Sequence, residues 1–435
     1  MGTRRSDLFW IVLLSTLLLV ASPAAAISDA DQLWLVGSQA FNDQLYGLAQ
    51  RMLERFILHH PEDPRVPTAV LLLAKSRLAL GALEAALQGF RQARRLPTPP
   101  GEPGEVDFWE GETLFRLKRY AEAQAAYGAV LREPSPWAPN ALYGLGWAAL
   151  QQNQPEEAVR TFRRLLADWP THATAAAASY QLARTLADLN RPAEAGAVLV
   201  GYETLYPDSP WLAEALYLRG WSQLSTGEPE GATRTFESFL ARAPTHELAP
   251  QAQLHLAEAL VRRGRGAEAE QAWRRLQAEY PQHPLVHRAG LELARVAFDQ
   301  QRYAEAEVQA SSATASTDPQ VRLEAHLLAG ESLLRLKRYS AALQAFKTAL
   351  EVSPAGDPLR LRALAGLGLT HERLRQWGEA ARHYQLLANS QDEVLKKWAA
   401  ERLKAIKAQR QGAGGAKSSG GPRDRPANRE RPEQR

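Results

Sequence analysis

The chain has 435 residues, 45% of them hydrophobic, no cysteine and a formal net charge of +4. The absence of cysteine excludes disulfides, thiolate metal sites, a cysteine nucleophile and a lipid-modified cysteine. From Gln391 onward twelve Lys/Arg stand against six Asp/Glu, about +6, so the preceding body is mildly acidic and lacks the basic stripe of a nucleic-acid binder.

Arg4 and Arg5 precede an apolar run from Leu8 to Val20, and Pro23 and Ala24 to Ala26 follow. This order predicts a secretory signal peptide over residues 1–26, cleaved after Ala26. An uncleaved anchor is the alternative, although the thirteen-residue apolar core is short against the ~20 residues that span a bilayer. Both readings export the rest of the chain, and a bacterial periplasm is the expected compartment.

Over residues 27–390 one register recurs ten times. A small residue stands at Gly37, Ala74, Gly111, Gly146, Ala183, Gly220, Ala257, Ala294, Gly330 and Gly368. Twelve residues after each comes an alanine: Ala49, Ala86, Ala123, Ala158, Ala195, Ala232, Ala269, Ala306, Ala342 and Ala380. Four further on, most units place a large apolar residue, such as Leu53, Phe90, Tyr127, Phe162, Phe236, Trp273, Phe346 and Tyr384. Proline closes most units, as at Pro61, Pro170, Pro207, Pro244, Pro281 and Pro354. Two antiparallel helices approach closely only where neither is bulky, and proline cannot continue a helix. The small residue and the alanine are therefore expected to face each other, with the large residue filling the gap to the next unit. One such hairpin cannot bury its own apolar face, so the units must stack.

The pattern resembles the tetratricopeptide repeat (TPR). The resemblance implies an all-α, right-handed superhelical solenoid of about ten helix–turn–helix repeats. The first repeat runs from about Ala30 to Pro61, with Asp29 or Asp31 as helix cap. After the second, the stretch from Pro97 to Gly104 (PTPPGEPG) is too rich in turn-formers to be helical, and reads as a long inter-repeat loop or a flexible joint. Repeats four to seven are the most regular. Their linkers, Trp169-Pro-Thr-His172, Tyr206-Pro-Asp-Ser-Pro210, Ala243-Pro-Thr-His246 and Tyr280-Pro-Gln-His-Pro284, are similar to those of periplasmic TPR proteins of the Gram-negative envelope. Two such groups are the TPR lipoprotein of the outer-membrane β-barrel assembly machinery and the cell-division coordinator linked to the Tol–Pal system. This chain departs from the first in lacking the lipid-attachment cysteine and from both in repeat number.

In the eighth repeat Ala310 and Ala313 occupy places that are large and apolar elsewhere, which predicts a weak joint there. Residues 391–410 form an amphipathic helix with Leu395, Trp398, Ala399, Leu403 and Ile406 on one face, as a capping helix requires. Residues 411–435 are polar, basic and rich in Gly and Pro, and are expected to be a disordered tail. That tail is either a solubilising end or a basic arm touching anionic membrane lipid, lipopolysaccharide or peptidoglycan.

No residues form a catalytic pattern, and no enzyme activity, cofactor or metal site is expected. The pairs Gly144/Gly146 and Gly366/Gly368 lie in helices without a preceding strand, so they are not phosphate loops. His59-His60 and His283/His287 lack surrounding acidic ligands. The resemblance places first helices along a concave groove, with the residue three before each small one pointing into it: Trp34, Leu71, Phe108, Tyr143, Tyr180, Tyr217, Leu254, Leu291, Leu327 and Ala365. Together with Trp147, Arg184 and Trp221, the residues Tyr143, Tyr180 and Tyr217 form the candidate partner-binding groove. Arginine among aromatic rings engages carbonyls or a carboxylate while the rings grip apolar surface. The alternative is that these rings pack between helices. The expected function is a periplasmic scaffold for protein–protein interaction in envelope assembly, cell-wall or secretion processes, its partner a protein or peptide segment of the cell envelope. The competing reading is a peptidoglycan- or glycan-associated binding module.

Overall fold

The computed structural model describes residues 28–418. Among the described residues the regular secondary structure is helical, with no strand. The expected signal peptide and residues 419–435 of the expected tail lie outside them. The chain divides into two compact units, Met1–Leu218 and Arg219–Arg435.

In the first unit antiparallel hairpins follow one another: α1 (Asp29–Asn42) with α2 (Tyr46–His59), α3 (Val66–Ala79) with α4 (Leu83–Arg94), and α5 (Glu105–Arg116) with α6 (Tyr120–Val130). Next come α7 (Ala138–Gln151) with α8 (Pro155–Asp168), then α9 (Ala175–Asp188) with α10 (Pro192–Val198) and the short α11 (Tyr202–Leu205). The division falls within α12 (Leu212–Ser225). The second unit continues with α13 (Pro229–Arg242), α14 (Ala249–Arg262) and α15 (Gly266–Glu279), α16 (Leu285–Asp299) and α17 (Tyr303–Ala313). It ends with α18 (Pro319–Arg335) and α19 (Tyr339–Val352), α20 (Pro358–Arg373) and α21 (Trp377–Ala388), and α22 (Glu393–Ser418).

The sequence columns become the core. All ten column alanines are fully buried, as are the small residues twelve positions before them. What faces the column glycines most closely is the large residue sixteen positions on. A Cβ at Gly111 would lie 2.6 Å from the Tyr127 ring, and one at Gly144 on the next hairpin 2.5 Å from the same ring. Phe346 sits likewise between Gly330 and Gly366. The ring thus closes its own hairpin and joins it to the next.

A second column was not anticipated. Seven residues after each small residue the backbone turns left-handed, at Gln44, Gly81, Lys118, Asn153, Asn190, Gly227, Gly264, Gln301, Lys337 and Arg375. This is the residue that ends a first helix and reverses the chain; glycine and asparagine adopt it readily, whereas longer side chains do so at a cost.

The linkers act as turn caps. His172, His246 and His283 each accept, through Nδ1, the backbone N–H two residues on, at 3.2 Å. Asp63, Ser135 and Ser209 do the same in their linkers. Tyr206 donates its hydroxyl to the carbonyl of Pro170, and Tyr280 to that of Pro244, so an aromatic in one linker fastens the linker before it.

Several expectations are refined. The cap of α1 is Ser28, which accepts from the Asp31 N–H; Asp29 and Asp31 stand in the first turn, where carboxylates favour the helix dipole. The stretch from Pro97 to Gly104 is a packed loop: Pro100 is buried, and the Ser135 hydroxyl donates to the Pro103 carbonyl at 2.6 Å. In the fifth hairpin, Gly201 at φ +73° breaks the second helix between α10 and α11, so this repeat is less regular than its spacing implies. In the eighth, Ala310 and Ala313 are fully buried because the helices close in: a Cβ at Gly290 on α16 would stand 3.4 Å from the Gln309 carbonyl oxygen on α17. The face of α22 bearing Trp398, Ala399, Leu403 and Ile406 packs on Leu364, Ala380, Tyr384 and Leu387, as a cap should, and the helix runs on past residue 410 to Ser418. That extension passes through Gly412, Gly414 and Gly415, which have low helix propensity, and only the amphipathic turns before them explain its start.

Candidate functional site

The residues three before each small residue divide into two kinds. Leu71, Phe108, Leu291 and Leu327 are buried. Trp34, Tyr143, Tyr180, Tyr217 and Leu254 are half-buried, with part of each side chain reaching solvent. Of the six candidate groove residues, the three tyrosines, Trp147 and Trp221 are half-buried and Arg184 is exposed.

Two pairs stand out in the first unit. On α7 the rings of Tyr143 and Trp147 meet edge to face, with centroids 6.4 Å apart. Burial pushes the Tyr143 hydroxyl above its ordinary value, and its hydrogen bond with Trp147 works the other way. On α9 Tyr180 pairs with Arg184. Burial raises the Tyr180 hydroxyl too, opposed by the charge of Arg184 and by a hydrogen bond with it. All three of Tyr143, Trp147 and Tyr180 rest on the core cluster containing Phe162, Leu182 and Leu199, which fixes their inner edges and leaves their outer edges presented. Tyr217 belongs to the first unit, with its hydroxyl raised by burial, and Trp221 to the second.

Beside Tyr143 and Trp147 lies a hollow of about 570 Å³ that the sequence reading did not find. Its walls are Phe108 and Phe115 of α5, Tyr120 and Tyr127 of α6, and Tyr143 and Trp147 of α7. Phe115 and Tyr120 meet edge to face at 5.3 Å, and Phe108 tilts against Tyr127 at 6.2 Å. One carboxylate joins them. Glu112 accepts the Tyr127 hydroxyl at 2.6 Å, and burial followed by that negative charge raises the Tyr127 phenol. The sequence signal was present: Glu112 follows Gly111 as Trp147 follows Gly146.

A larger hollow of about 840 Å³ borders the loop from Thr98 to Gly104. Its arginines on α4 are paired with carboxylates. Arg91 bonds Glu110 and Glu122 at 3.2 Å each, and Arg94 bonds Asp107 at 3.0 Å and also Glu110, whose side chain is 4% exposed. This network ties α4 to α5 and α6.

Among the described residues no three His, Asp or Glu are grouped to hold a metal ion, and no helix is long and apolar enough to cross a membrane. His60 bonds Asp29 at 2.9 Å, His283 caps its linker, and His287 bonds the Ser312 carbonyl at 3.1 Å.

The sequence profile described as "Tetratricopeptide repeat" matches residues 37–102, 110–173, 149–210, 217–284, 291–357 and 327–393. No curated protein matches the sequence. Solved structures that it resembles include the C-terminal part of a TPR repeat-containing protein from Cytophaga hutchinsonii, at 13% identity and a TM-score of 0.47, covering 57% of this chain and 95% of that one. Another is PilW, described as a widely conserved type IV pilus biogenesis factor, at 22% identity and 0.40, covering 51% and 97%. A third is YrrB, described as a TPR protein with an unusual peptide-binding site, at 20% identity and 0.37, covering 46% and 97%.

Proposed function

This chain belongs to the tetratricopeptide repeat family, whose repeats build scaffolds for protein–protein interaction, and we propose that it grips an extended segment of a partner protein in the bacterial envelope. The observation that carries the reading is the pair of motifs Tyr143–Trp147 and Tyr180–Arg184 on successive first helices, each anchored on the core and open at its outer edge. Aromatic rings and arginine supply contact area with few rotors to order, and a preformed surface lowers the cost of binding a flexible segment.

The envelope setting rests on Arg4, Arg5, the Leu8–Val20 run and Ala24–Ala26, which together have the order of an export signal. This reading assigns no catalytic residue.

A photoreactive amino acid at Tyr180 in living cells tests it. A single envelope protein is expected to be trapped, and little or nothing from the same probe at Val308, which is exposed on a second helix. Equal trapping from both positions, trapping of glycan alone, or recovery of the protein in the cytosol would overturn it.

A further inference from the structure

We propose that the hollow walled by α5, α6 and α7 receives a lysine side chain of the bound partner segment, with the Glu112 carboxylate as its counter-charge. The proposal deepens the groove reading above and rests on it.

Three observations lead there. Of the six aromatic side chains around the hollow, Phe115, Tyr120, Tyr143 and Trp147 are partly exposed while Phe108 and Tyr127 are buried behind them, and exposed ring faces attract a cation while accommodating its alkyl stem. The half-buried carboxylate of Glu112 forms no ion pair within 4 Å with any described basic side chain. Arg116, one turn further along α5, is exposed; its charge acts on the Tyr127 hydroxyl, but it makes no ion pair with Glu112. Glu112 thus offers a negative charge that is hydrogen-bonded to Tyr127 but paired with no cation, and a bound ammonium supplies the missing counter-charge.

The choice of ammonium over guanidinium follows from Glu112 itself. Its Oε1 already takes the Tyr127 hydroxyl at 2.6 Å. A guanidinium binds best through two parallel bonds to both carboxylate oxygens, whereas an ammonium is a point donor satisfied by one. Tyr127 is fully buried and wedged between Gly111 and Gly144, so it holds Glu112 in place. Asn140 and Gln151 also line the hollow and offer amides to the main chain on either side of the lysine.

A bead-bound library of random dodecapeptides, in which lysine, arginine and norleucine are equally represented, is incubated with the purified protein and with Glu112→Gln. The substitution keeps the shape and an acceptor for Tyr127, so folding is preserved. Wild type is expected to retain peptides with lysine favoured at least tenfold over norleucine at one position, with arginine intermediate. Glu112→Gln is expected to lose that preference, and Glu112→Lys to reverse it toward acidic residues. Retained peptides without lysine enrichment, or enrichment that survives Glu112→Gln, overturn the lysine pocket and leave the groove reading intact. Retention of no peptide by wild type overturns both.

Discussion

Tyr127 and Gly144 touch across the joint between the third and fourth hairpins: a methyl group on Gly144 would stand 2.5 Å from the tyrosine Cζ. The same ring also packs closely on Gly111. Gly144→Ala is therefore expected to destabilise the first unit by about 1–3 kcal/mol, as overpacking does. Gly128, also helical but with nothing within 4 Å of its missing Cβ, is the control. Gly128→Ala should stabilise by about 0.5–1 kcal/mol. Urea unfolding of both variants checks the pair.

The eighth hairpin makes the opposite use of small residues. Seven of the other nine repeats carry a ring where Ala310 stands, and Leu53 and Leu199 stand there in the remaining two, yet Ala310 is fully buried because the helices have closed over it. Ala310→Phe should lower stability by about 1–3 kcal/mol despite restoring the family pattern. If the site held a cavity instead, the same substitution would stabilise, and thermal melting distinguishes the two.

Trp147 is half-buried, so its removal should act on binding more than on folding. Trp147→Ala is expected to weaken partner capture at least tenfold while reducing unfolding free energy by about 1–2 kcal/mol. A loss of about 3 kcal/mol or more would mark the ring as core. Capture assays and urea unfolding on the same preparation separate these outcomes.

The last hairpin carries a pH response. The rings of His371 and His383 stack 5.4 Å apart, and His371 also bonds Gln376. Burial, then the neighbouring His371, holds the His383 imidazole below its ordinary value; Arg382 and Lys347 push the same way and Glu379 opposes them. Unfolded, His383 takes up a proton near pH 6.5, whereas folded it does so lower. Between those values the unfolded chain binds more protons, so stability falls as pH falls from about 6.5 through the folded value. Urea unfolding at pH 7.5 and 5.5 should show this loss, and His383→Gln should reduce it.

The repeat register was legible because it rests on fixed spacings within one hairpin. Ala49, Ala86 and Ala123 could be named as buried from periodicity, and so could the apolar face of α22. The aromatic hollow was not, since it needs Phe108, Tyr127 and Trp147 from three helices to converge, and spacing does not report how side chains turn toward one another. The break at Gly201 was hidden for a similar reason. The spacing to the next small residue is kept across it, so the count of residues stays regular while the helix does not. Tyr143, Trp147 and Tyr180 are half-buried and Arg184 is exposed, and spacing alone did not show that each tyrosine pairs with the residue one turn on.

Of the ten left-handed corners, Gln44, Lys118, Asn153, Asn190, Gln301, Lys337 and Arg375 hold that conformation with a Cβ in the way. Glycine at Lys118, Gln301, Lys337 or Arg375 would relax a local strain of about 1 kcal/mol each, partly offset by a freer unfolded chain. The corners lie between paired helices, apart from Tyr143, Trp147, Tyr180 and Arg184 in sequence. At Gln301, Lys337 and Arg375, which also lie away from the hollow of α5, α6 and α7, heat tolerance is therefore adjustable separately from ligand choice, which suits the molecule to being re-engineered as a binding frame.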